Sequence, residues 1–281
     1  MKIAFFGTPD FAIPSLRALL MRKKHKVVCV VCQPDKPSGR GMGTVFSPVK
    51  KFALEHKIPL LQPERISKEL KLLDPYNPDI IITCAFGQIL RQNVLDYCKY
   101  GVINVHASLL PKYRGSSPIQ WAIIKGEKTT GITIAQTELG LDTGDILHTV
   151  LCDIGDNETA GELFVRLANL GATALLDALE KIENGTVKRI PQDHAQATHY
   201  PMLKKEDGKI DMSKTPTEIV NLVRGLNPWP GTYFSSNIGD IRVHKASVVD
   251  GKLQLDIVQA PGKRAIPYKD FLNGHKHIRF E

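Results

Sequence analysis

Four apolar runs, each rich in β-branched residues, recur through the first part of the chain and constrain its fold most strongly. They lie at residues 2–6, 26–32, 79–85 and 101–105. Their consecutive apolar positions are typical of strands in a parallel sheet that helices cover on both faces. Amphipathic stretches separate the runs, and such alternation of strand and helix favours right-handed crossovers. The sequence therefore predicts an α/β fold with an open, mostly parallel sheet.

The segments between these runs carry helix signals. Proline opens two of them, at Pro14 and at Pro48, and Ser47 is a plausible N-cap for the second. We predict helices at 14–23, 48–57, 66–73, 90–97, 117–124 and 158–183. Asn184-Gly185 closes the last of these in a C-cap pattern. Two more strands are predicted at 130–139 and 144–154.

The character of the sequence changes after residue 186. Residues 186–215 are polar and contain prolines, which is typical of a linker between domains. A helix at 216–226 and short strands follow, and Asp250-Gly251 between two strands predicts a tight hairpin. We therefore predict a catalytic domain at 1–200, which includes the linker from about 186, and a β-rich domain at 201–281.

Charge and cysteine content restrict the class of protein. The formal net charge is +8, and residues 22–57 hold nine Lys and Arg against two acids. Such a balance fits either a solvated basic surface or a polyanionic partner such as nucleic acid. The five cysteines are odd in number and lack zinc spacing, which indicates free thiols in a reducing cytoplasm. With neither an 18-residue apolar stretch nor a signal peptide, we expect no membrane association.

Several common motifs are absent from the sequence. Gly7-Thr-Pro-Asp follows the first strand where a dinucleotide-binding turn would need GxGxxG. There is no phosphate loop of the GxxxxGK[ST] type, no HExxH and no GxSxG elbow. We therefore expect chemistry that needs neither a metal nor a nicotinamide.

Three polar residues are spaced as acyl-transfer chemistry requires. Asn104 and His106 lie two apart at the end of a predicted strand, so their side chains share a face. Asp142 lies in a loop between two glycines. An amide and an imidazolium can stabilise an oxyanion, and a carboxylate can accept a proton from an attacking amine. Without other information, a strand-end Asn/His pair that only bonds its own loops explains these residues equally well.

Further motifs occur in one order along nearly the whole chain. They are the opening KIAFFGTPDFA, the loop Gln33–Gly41, the run NVHASLLP at Asn104–Pro111, Tyr113-Arg-Gly115, Leu141-Asp-Thr-Gly-Asp145 and Asn227-Pro-Trp-Pro-Gly231. Together they resemble the motifs of the folate-dependent formyltransferases, most closely those that act on methionyl-tRNA. The resemblance implies 10-formyltetrahydrofolate as donor, the α-amine of methionyl-initiator tRNA as acceptor and no metal. It also suggests a cytoplasmic monomer.

The resemblance assigns a role to individual residues. Asn104, His106 and Asp142 match the family's catalytic residues, and Arg40 matches an insertion that approaches the tRNA acceptor end. The residues that match the folate-contacting segments are Phe86, Gly87, Gln88, Ile89 and Leu90, and in a second turn Ser108, Leu109, Leu110 and Pro111. From the residues alone, core packing explains Phe86, Ile89 and Leu90, and a flexible surface loop explains Arg40.

Two departures concern the tRNA acceptor. The loop after Arg40 reads Gly-Met-Gly-Thr-Val-Phe and lacks basic residues. The family's second domain resembles a five-stranded oligonucleotide-binding barrel, whereas about three strands follow Gly231 here. We therefore expect a shortened, oligonucleotide-binding-like domain. The alternatives are an amino-sugar nucleotide as acceptor, against which the loop and the Asn227–Gly231 segment argue, and a non-catalytic nucleic-acid binder, against which the three catalytic candidates argue.

Overall fold

The computed structural model describes residues 1–22, 24–38, 43–275 and 277–278. These residues fall into two compact units. The first comprises Met1–Arg114, Gly131–Cys152 and Val165–Thr198, and the second comprises Gly115–Thr130, Asp153–Phe164 and His199–Glu281. Within the described ranges, no helix is both long and apolar enough to cross a membrane.

The regular elements follow in chain order. The strands are β1 (Lys2–Gly7), β2 (Lys26–Val31), β3 (Lys36–Ser38), β4 (Gly43–Val45), β5 (Leu60–Leu61), β6 (Ile80–Cys84), β7 (Val102–His106), β8 (Arg114–Gly115), β9 (Thr129–Gln136), β10 (Ile146–Asp153), β11 (His199–Tyr200), β12 (Thr232–Phe234), β13 (Ile241–Val249), β14 (Lys252–Gln259) and β15 (Ile266–Pro267). The α-helices are α1 (Ile13–Met21), α2 (Pro48–Glu55), α3 (Gln92–Leu95), α4 (Pro118–Ile124), α5 (Ala160–Glu183), α6 (Pro216–Gly225) and α7 (Tyr268–Gly274). Short 3-10 helices lie at Asp10–Ala12, Leu70–Tyr76, His194–Gln196 and Lys205–Gly208.

A seven-stranded sheet in the order β10-β9-β7-β6-β1-β2-β5 is the framework of the first unit. The pairs β1–β2, β1–β6, β2–β5 and β6–β7 are parallel, and β9 runs antiparallel to β7. All four apolar runs found in the sequence form strands of this sheet, which confirms the predicted open, mostly parallel α/β fold.

Both faces of the sheet are buried, which explains the unbroken apolar runs. Ala4 and Phe6 of β1 belong to a core cluster on one face. Phe5, which points to the opposite face, is also 0% exposed. On that face Gly171 of α5 lies against β7, where a Cβ would come within 3.0 Å of Val105. An alternating apolar/polar pattern would therefore leave one face poorly packed.

The helix that the sequence predicted from a cap residue is found in the structure. The helices predicted from an amphipathic pattern alone differ from the prediction in type or length. Ser47 caps α2 by accepting a hydrogen bond from the Lys50 backbone N–H at 3.2 Å. The helix predicted at 66–73 is instead a 3-10 helix at Leu70–Tyr76 with Pro75 inside it. The helix predicted at 90–97 is reduced to the four residues of α3. Proline removes a donor from the helical ladder, which accounts for the tighter turn at the first of these segments.

The second unit contains a four-stranded antiparallel sheet in the order β12-β13-β14-β15. The sequence predicted the first three strands but missed β15, which has two residues and contains Pro267. It also missed α7. The sheet packs against α6 and α7 through a cluster that includes Val223, Phe234, Val258 and Phe271. A small sheet of this kind gains stability from such helical cover.

The hairpin between β13 and β14 has the tight turn that the sequence predicted. Val249 pairs with Lys252, so the loop consists of Asp250 and Gly251 alone. Their φ angles are 48° and 74°. Positive φ at both positions defines a type I′ turn, whose twist matches that of the flanking strands.

Replacing Gly251 by alanine is expected to lower the free energy of unfolding by about 1 kcal/mol, because the position requires a left-handed backbone. No atom lies within 4 Å of the added Cβ, so the effect is conformational and not steric. Denaturant titration measures it. Lys252→Ala, beside it and exposed, is the matched control and should change stability by less than about 0.5 kcal/mol. Equal effects of the two substitutions would contradict this account.

Four of the five cysteines, Cys29, Cys32, Cys84 and Cys98, are buried, and Cys152 is partly exposed. Burial raises the pKa of the Cys29, Cys84 and Cys98 thiols to about 12. Cys29 lies within β2 and Cys32 directly follows it, and both are 0% exposed. Cys29 and Cys32 have the CxxC spacing of redox motifs, but redox exchange needs an accessible thiolate. Their spacing therefore reflects packing in the core.

Candidate active site

Two segments singled out by the sequence, the residues after β6 and the end of β7, lie at one edge of the sheet in the first unit. Because β1, β6 and β7 are mutually parallel, their carboxyl ends lie at the same edge. Thr8 follows β1, the segment Ala85–Leu90 follows β6, and His106 is the last residue of β7. Open α/β sheets bind their ligands in the crevice at this edge.

Asn104 is held by a neighbouring strand. It is half-buried on β7, and its Oδ1 accepts a hydrogen bond from the Thr83 hydroxyl at 2.9 Å. Thr83 is 7% exposed and pairs with Asn104 in the β6–β7 register. The Thr83 Oγ1 also lies 3.2 Å from the Ile103 carbonyl oxygen, but the Asn104 contact is the shorter one and directs the amide oxygen toward β6. This orientation leaves the Nδ2 hydrogens for another acceptor.

Replacing Thr83 by valine is expected to reduce kcat for the predicted acyl-transfer reaction about tenfold, because the Asn104 amide loses the donor that orients it. Steady-state kinetics measures the change. Thr232→Val is the matched control, since this buried hydroxyl donates to the Val243 carbonyl in the second unit. The control should lose stability without losing kcat, and equal kcat values for the two variants would contradict the role given to Thr83.

His106 and Asp142, far apart in sequence, face one another. His106 is 6% exposed, and its Nε2 lies 2.9 Å from the carbonyl oxygen of Tyr113. A carbonyl only accepts, so Nε2 carries a proton. Nδ1 lies 3.7 Å from Asp142 Oδ1, a separation longer than a hydrogen bond. The imidazole is therefore anchored through one nitrogen and presents the other toward a carboxylate.

The loop that carries Asp142 has a constrained backbone. Asp142 itself has a positive φ of 53°. A Cβ at Gly144 would lie 2.1 Å from the carbonyl oxygen of Gln136, so only glycine fits there. The Gln192 amide donates to the carbonyl oxygens of Asp142 at 2.9 Å and Gly144 at 2.6 Å. The carboxylate thus extends from a loop that side-chain bonds hold in place.

The turn that begins at Ser108 is held by internal hydrogen bonds. Ser108 is 0% exposed, and its hydroxyl donates to the Lys112 carbonyl at 2.7 Å. Its carbonyl accepts from the Thr133 hydroxyl at 2.7 Å. Leu110 is buried, whereas Leu109 and Pro111 are half-buried. Ser108 therefore stabilises the turn. Of the four residues predicted to contact folate in this turn, Leu109 and Pro111 have side chains exposed enough to contact a ligand.

The segment Phe86–Leu90 divides between core and surface. Phe86 and Leu90 belong to the core cluster, as packing alone predicted for them. Ile89 is 86% exposed, which excludes core packing for this residue. Gln88 is tied to the neighbouring loop, since its amide bonds the Ile66 N–H and the Pro63 carbonyl. Gly87 and Ile89 are thus the exposed members, one through its backbone and one through an apolar side chain.

The base of the loop at 33–46 is well anchored. Asp35 pairs with Lys50, and Gln62 donates to Asp35 Oδ1 at 3.1 Å. The Lys50 ammonium beside Asp35 holds the pKa of that carboxyl below its usual value. The Gln33 amide donates to the Phe86 carbonyl at 3.1 Å, which connects this loop to the turn after β6. Arg40, the predicted tRNA contact, lies outside the described residues.

Sequence reasoning missed three contributors to this edge. They are the Tyr113 carbonyl, Arg114 and Gln192. Gln192 lies in the polar stretch interpreted as a linker, and its sequence context carries no signal of burial. Within the described residues, no group of three His, Cys, Asp or Glu side chains is arranged to hold a metal ion.

Comparison with known proteins identifies the family. A family model described as formyl transferase matches residues 1–179, which is more than half of the chain. A second model, the formyl transferase C-terminal domain, matches residues 202–254. The chain belongs to the formyl transferase family. This confirms the resemblance that the motifs predicted.

Curated members of the formyl transferase family align along nearly the whole chain. The methionyl-tRNA formyltransferase of Acetivibrio thermocellus is 44% identical over 303 residues, covering 98% of this chain and 97% of that protein. The corresponding protein of Geobacter metallireducens is 42% identical over 298 residues, covering 98% and 96%.

Solved structures in the formyl transferase family share the fold. An N-formyltransferase from Helicobacter canadensis, in complex with folinic acid and dTDP-3-aminofucose, has a TM-score of 0.70 at 19% identity, covering 95% of this chain and 98% of that one. The methionyl-tRNA formyltransferase from Clostridium thermocellum has a TM-score of 0.61 at 18% identity, covering 92% and 98%. At these identities the likeness establishes the fold alone.

Proposed function

We propose that the chain transfers the formyl group of 10-formyltetrahydrofolate to the α-amino group of methionyl-initiator tRNA, by direct acyl transfer at Asn104, His106 and Asp142. The observation that carries the proposal is the facing pair of His106 Nδ1 and Asp142 Oδ1 at 3.7 Å, with Nε2 anchored on a carbonyl. The curated relatives above, at 44% and 42% identity, carry the name of this activity and support the tRNA acceptor.

The three side chains divide the chemistry of one addition and one elimination. The amine nitrogen attacks the formyl carbon, and the carbonyl electron pair moves onto its oxygen. The Asn104 Nδ2 hydrogens and a protonated His106 Nδ1 donate to that developing oxyanion. Asp142 accepts the proton that the amine loses, directly or through a water. The oxyanion then collapses, the bond to folate N10 breaks, and N10 takes the proton that Asp142 accepted from the amine, directly or through a water.

The folate would lie beside the turns that follow β6 and β7. Gly87 and Ile89 are exposed on the first turn, and Leu109 and Pro111 are half-buried on the second. A pterin has a polar edge that backbone groups can read and a flat face that favours apolar contacts. Phe86, Gln88, Leu90, Ser108 and Leu110 would support these turns from within.

Recognition of tRNA is assigned to Arg40 and to the basic surface that the net charge of +8 implies. We extend the proposal to the division into a catalytic domain at 1–200 and a β-rich domain at 201–281. The cytoplasm, where charged tRNA is available, is the proposed location. The expected monomeric state stays a prediction that light scattering can test.

One experiment decides between acceptors. The protein is incubated with 10-formyltetrahydrofolate and methionyl-initiator tRNA, with dTDP-amino sugars supplied as competing acceptors. The expected result is formyl-methionyl-tRNA with no formylated sugar. Formylation of the sugar alone would favour the alternative acceptor, and formylation of neither would reject the proposed activity.

A further inference from the structure

Two buried polar side chains connect the candidate catalytic loop to a distant part of the first unit. Arg114 is 3% exposed and Gln192 is 6% exposed. Gln192 precedes the 3-10 helix at His194–Gln196, in a stretch that carries none of the candidate catalytic residues. Neither residue has a role in the reaction proposed above.

Hydrogen bonds fix the Gln192 amide in one orientation. Its Oε1 accepts from Arg114 Nε at 3.1 Å and from Arg114 Nη2 at 2.6 Å. Nη2 also lies 3.0 Å from His194 Nδ1. With its oxygen engaged by the guanidinium, the amide must direct Nε2 away, and Nε2 donates to the carbonyls of Asp142 and Gly144. Reversing the amide would place an oxygen against two carbonyl oxygens.

The same segment also holds the anchor of His106. The Tyr113 N–H donates to the Thr198 hydroxyl at 2.8 Å, and the Arg114 N–H donates to the Thr198 carbonyl at 2.9 Å. Tyr113 has a positive φ of 58°, and its carbonyl is the one that meets His106 Nε2. Both members of the His106–Asp142 pair are therefore positioned by residues 192–198.

Burying the charged Arg114 guanidinium costs desolvation free energy, which its hydrogen bonds to Gln192 and His194 only partly offset. Well-packed apolar side chains of similar volume often give equal or greater stability. The Arg114–Gln192 pair instead fixes the orientation of the Gln192 amide, because the guanidinium hydrogen bonds allow only one geometry. Directional control matters here, since a displacement of about 1 Å at a reacting group can cost about 10²-fold in rate.

We propose that Gln192, oriented by Arg114, is a positioning residue for formyl transfer. It fixes the backbone at Asp142 and Gly144 so that the Asp142 carboxylate stands opposite His106 Nδ1. This inference rests on the proposed function and concerns only how the site is aligned.

Gln192→Glu tests the inference, because a carboxylate keeps the partner of Arg114 but cannot donate to the two loop carbonyls. We expect kcat to fall about 30-fold while KM for folate and for tRNA changes less than about threefold. Gln192→Met, which removes the donor without adding a charge, should give a similar loss. Gln196→Glu is the matched control: Gln196 is exposed, its amide donates to Asp193, and the variant should keep kcat within about twofold. Wild-type kcat in Gln192→Glu or in Gln192→Met would overturn the proposal.

A double-mutant cycle with Asp142→Asn separates positioning from general support of the fold. If Gln192 acts through Asp142, Gln192→Glu should cost less than about threefold in the Asp142→Asn background. A full 30-fold loss in that background would show that Gln192 acts elsewhere, and would overturn this inference while leaving the proposed function intact. Wild-type turnover in Asp142→Asn alone would instead overturn the proposed mechanism, and this inference with it.

Discussion

Replacing His106 by alanine is expected to reduce kcat for formyl transfer by about 10³-fold, because the developing oxyanion loses a donor. The substitution also removes the bond to the Tyr113 carbonyl, which is worth about 1 kcal/mol of stability. His106→Gln separates the two effects, since a glutamine amide can still donate to that carbonyl. Single-turnover measurements with saturating folate and charged tRNA report the chemical step.

His148→Ala is the matched control for His106. His148 is a second histidine beside a carboxylate in the first unit, with Nε2 3.8 Å from Asp177 Oδ2. It lies on β10 beside Lys181, away from the edge described above. The control should keep kcat within about twofold. If His106→Ala and His148→Ala lose activity equally, the mechanism is wrong. It is also wrong if His106→Ala and His106→Gln both retain wild-type turnover.

The second large effect is expected for Asp142→Asn, which preserves shape but removes the proton acceptor. Loss of a general base typically costs about 10²- to 10⁴-fold, so kcat should fall by about 10³-fold while folate binding is kept. Equilibrium titration with a folate analogue measures the binding, and initial rates measure kcat. Asp177→Asn, which changes the matched carboxylate beside His148, should leave both unchanged. Retained turnover in Asp142→Asn would exclude this residue as the proton acceptor.

The sheet was predictable because its strands carry their signal locally. β1, β2, β6 and β7 are buried on both faces, and a continuous β-branched run is what that environment selects. Helices announced by a cap, such as α2 after Ser47, were found at the right place. The failures were elements whose formation depends on tertiary packing, among them the 3-10 helix at Leu70–Tyr76, the short α3 and the two-residue β15. Local propensity is too weak to define such elements.

The candidate catalytic side chains could be predicted from the sequence, whereas the groups that hold them in position could not. Asn104 and His106 could be placed on one face from their spacing in β7, and Asp142 from its glycine-bounded loop. His106 is anchored by the backbone carbonyl of Tyr113, and because every residue has such a carbonyl, the sequence does not show which one is used. Gln192 is a polar residue in a polar stretch, so nothing in its neighbourhood distinguishes a buried amide from a solvated one. Only the three-dimensional path of the chain brings it to the loop.

The path of the chain also determines when the site can form during synthesis. Asn104, His106 and Asp142 leave the ribosome well before Gln192 and Thr198, which hold the loop and the Tyr113–Arg114 segment. A nascent chain that ends at residue 185 carries all three candidates and none of these supports. Domains fold largely in order of their emergence, so we expect the aligned pair of His106 and Asp142 to form only once residue 198 is free. A fragment intended for study in isolation must therefore extend through Thr198, beyond the end of the first matched family region at residue 179.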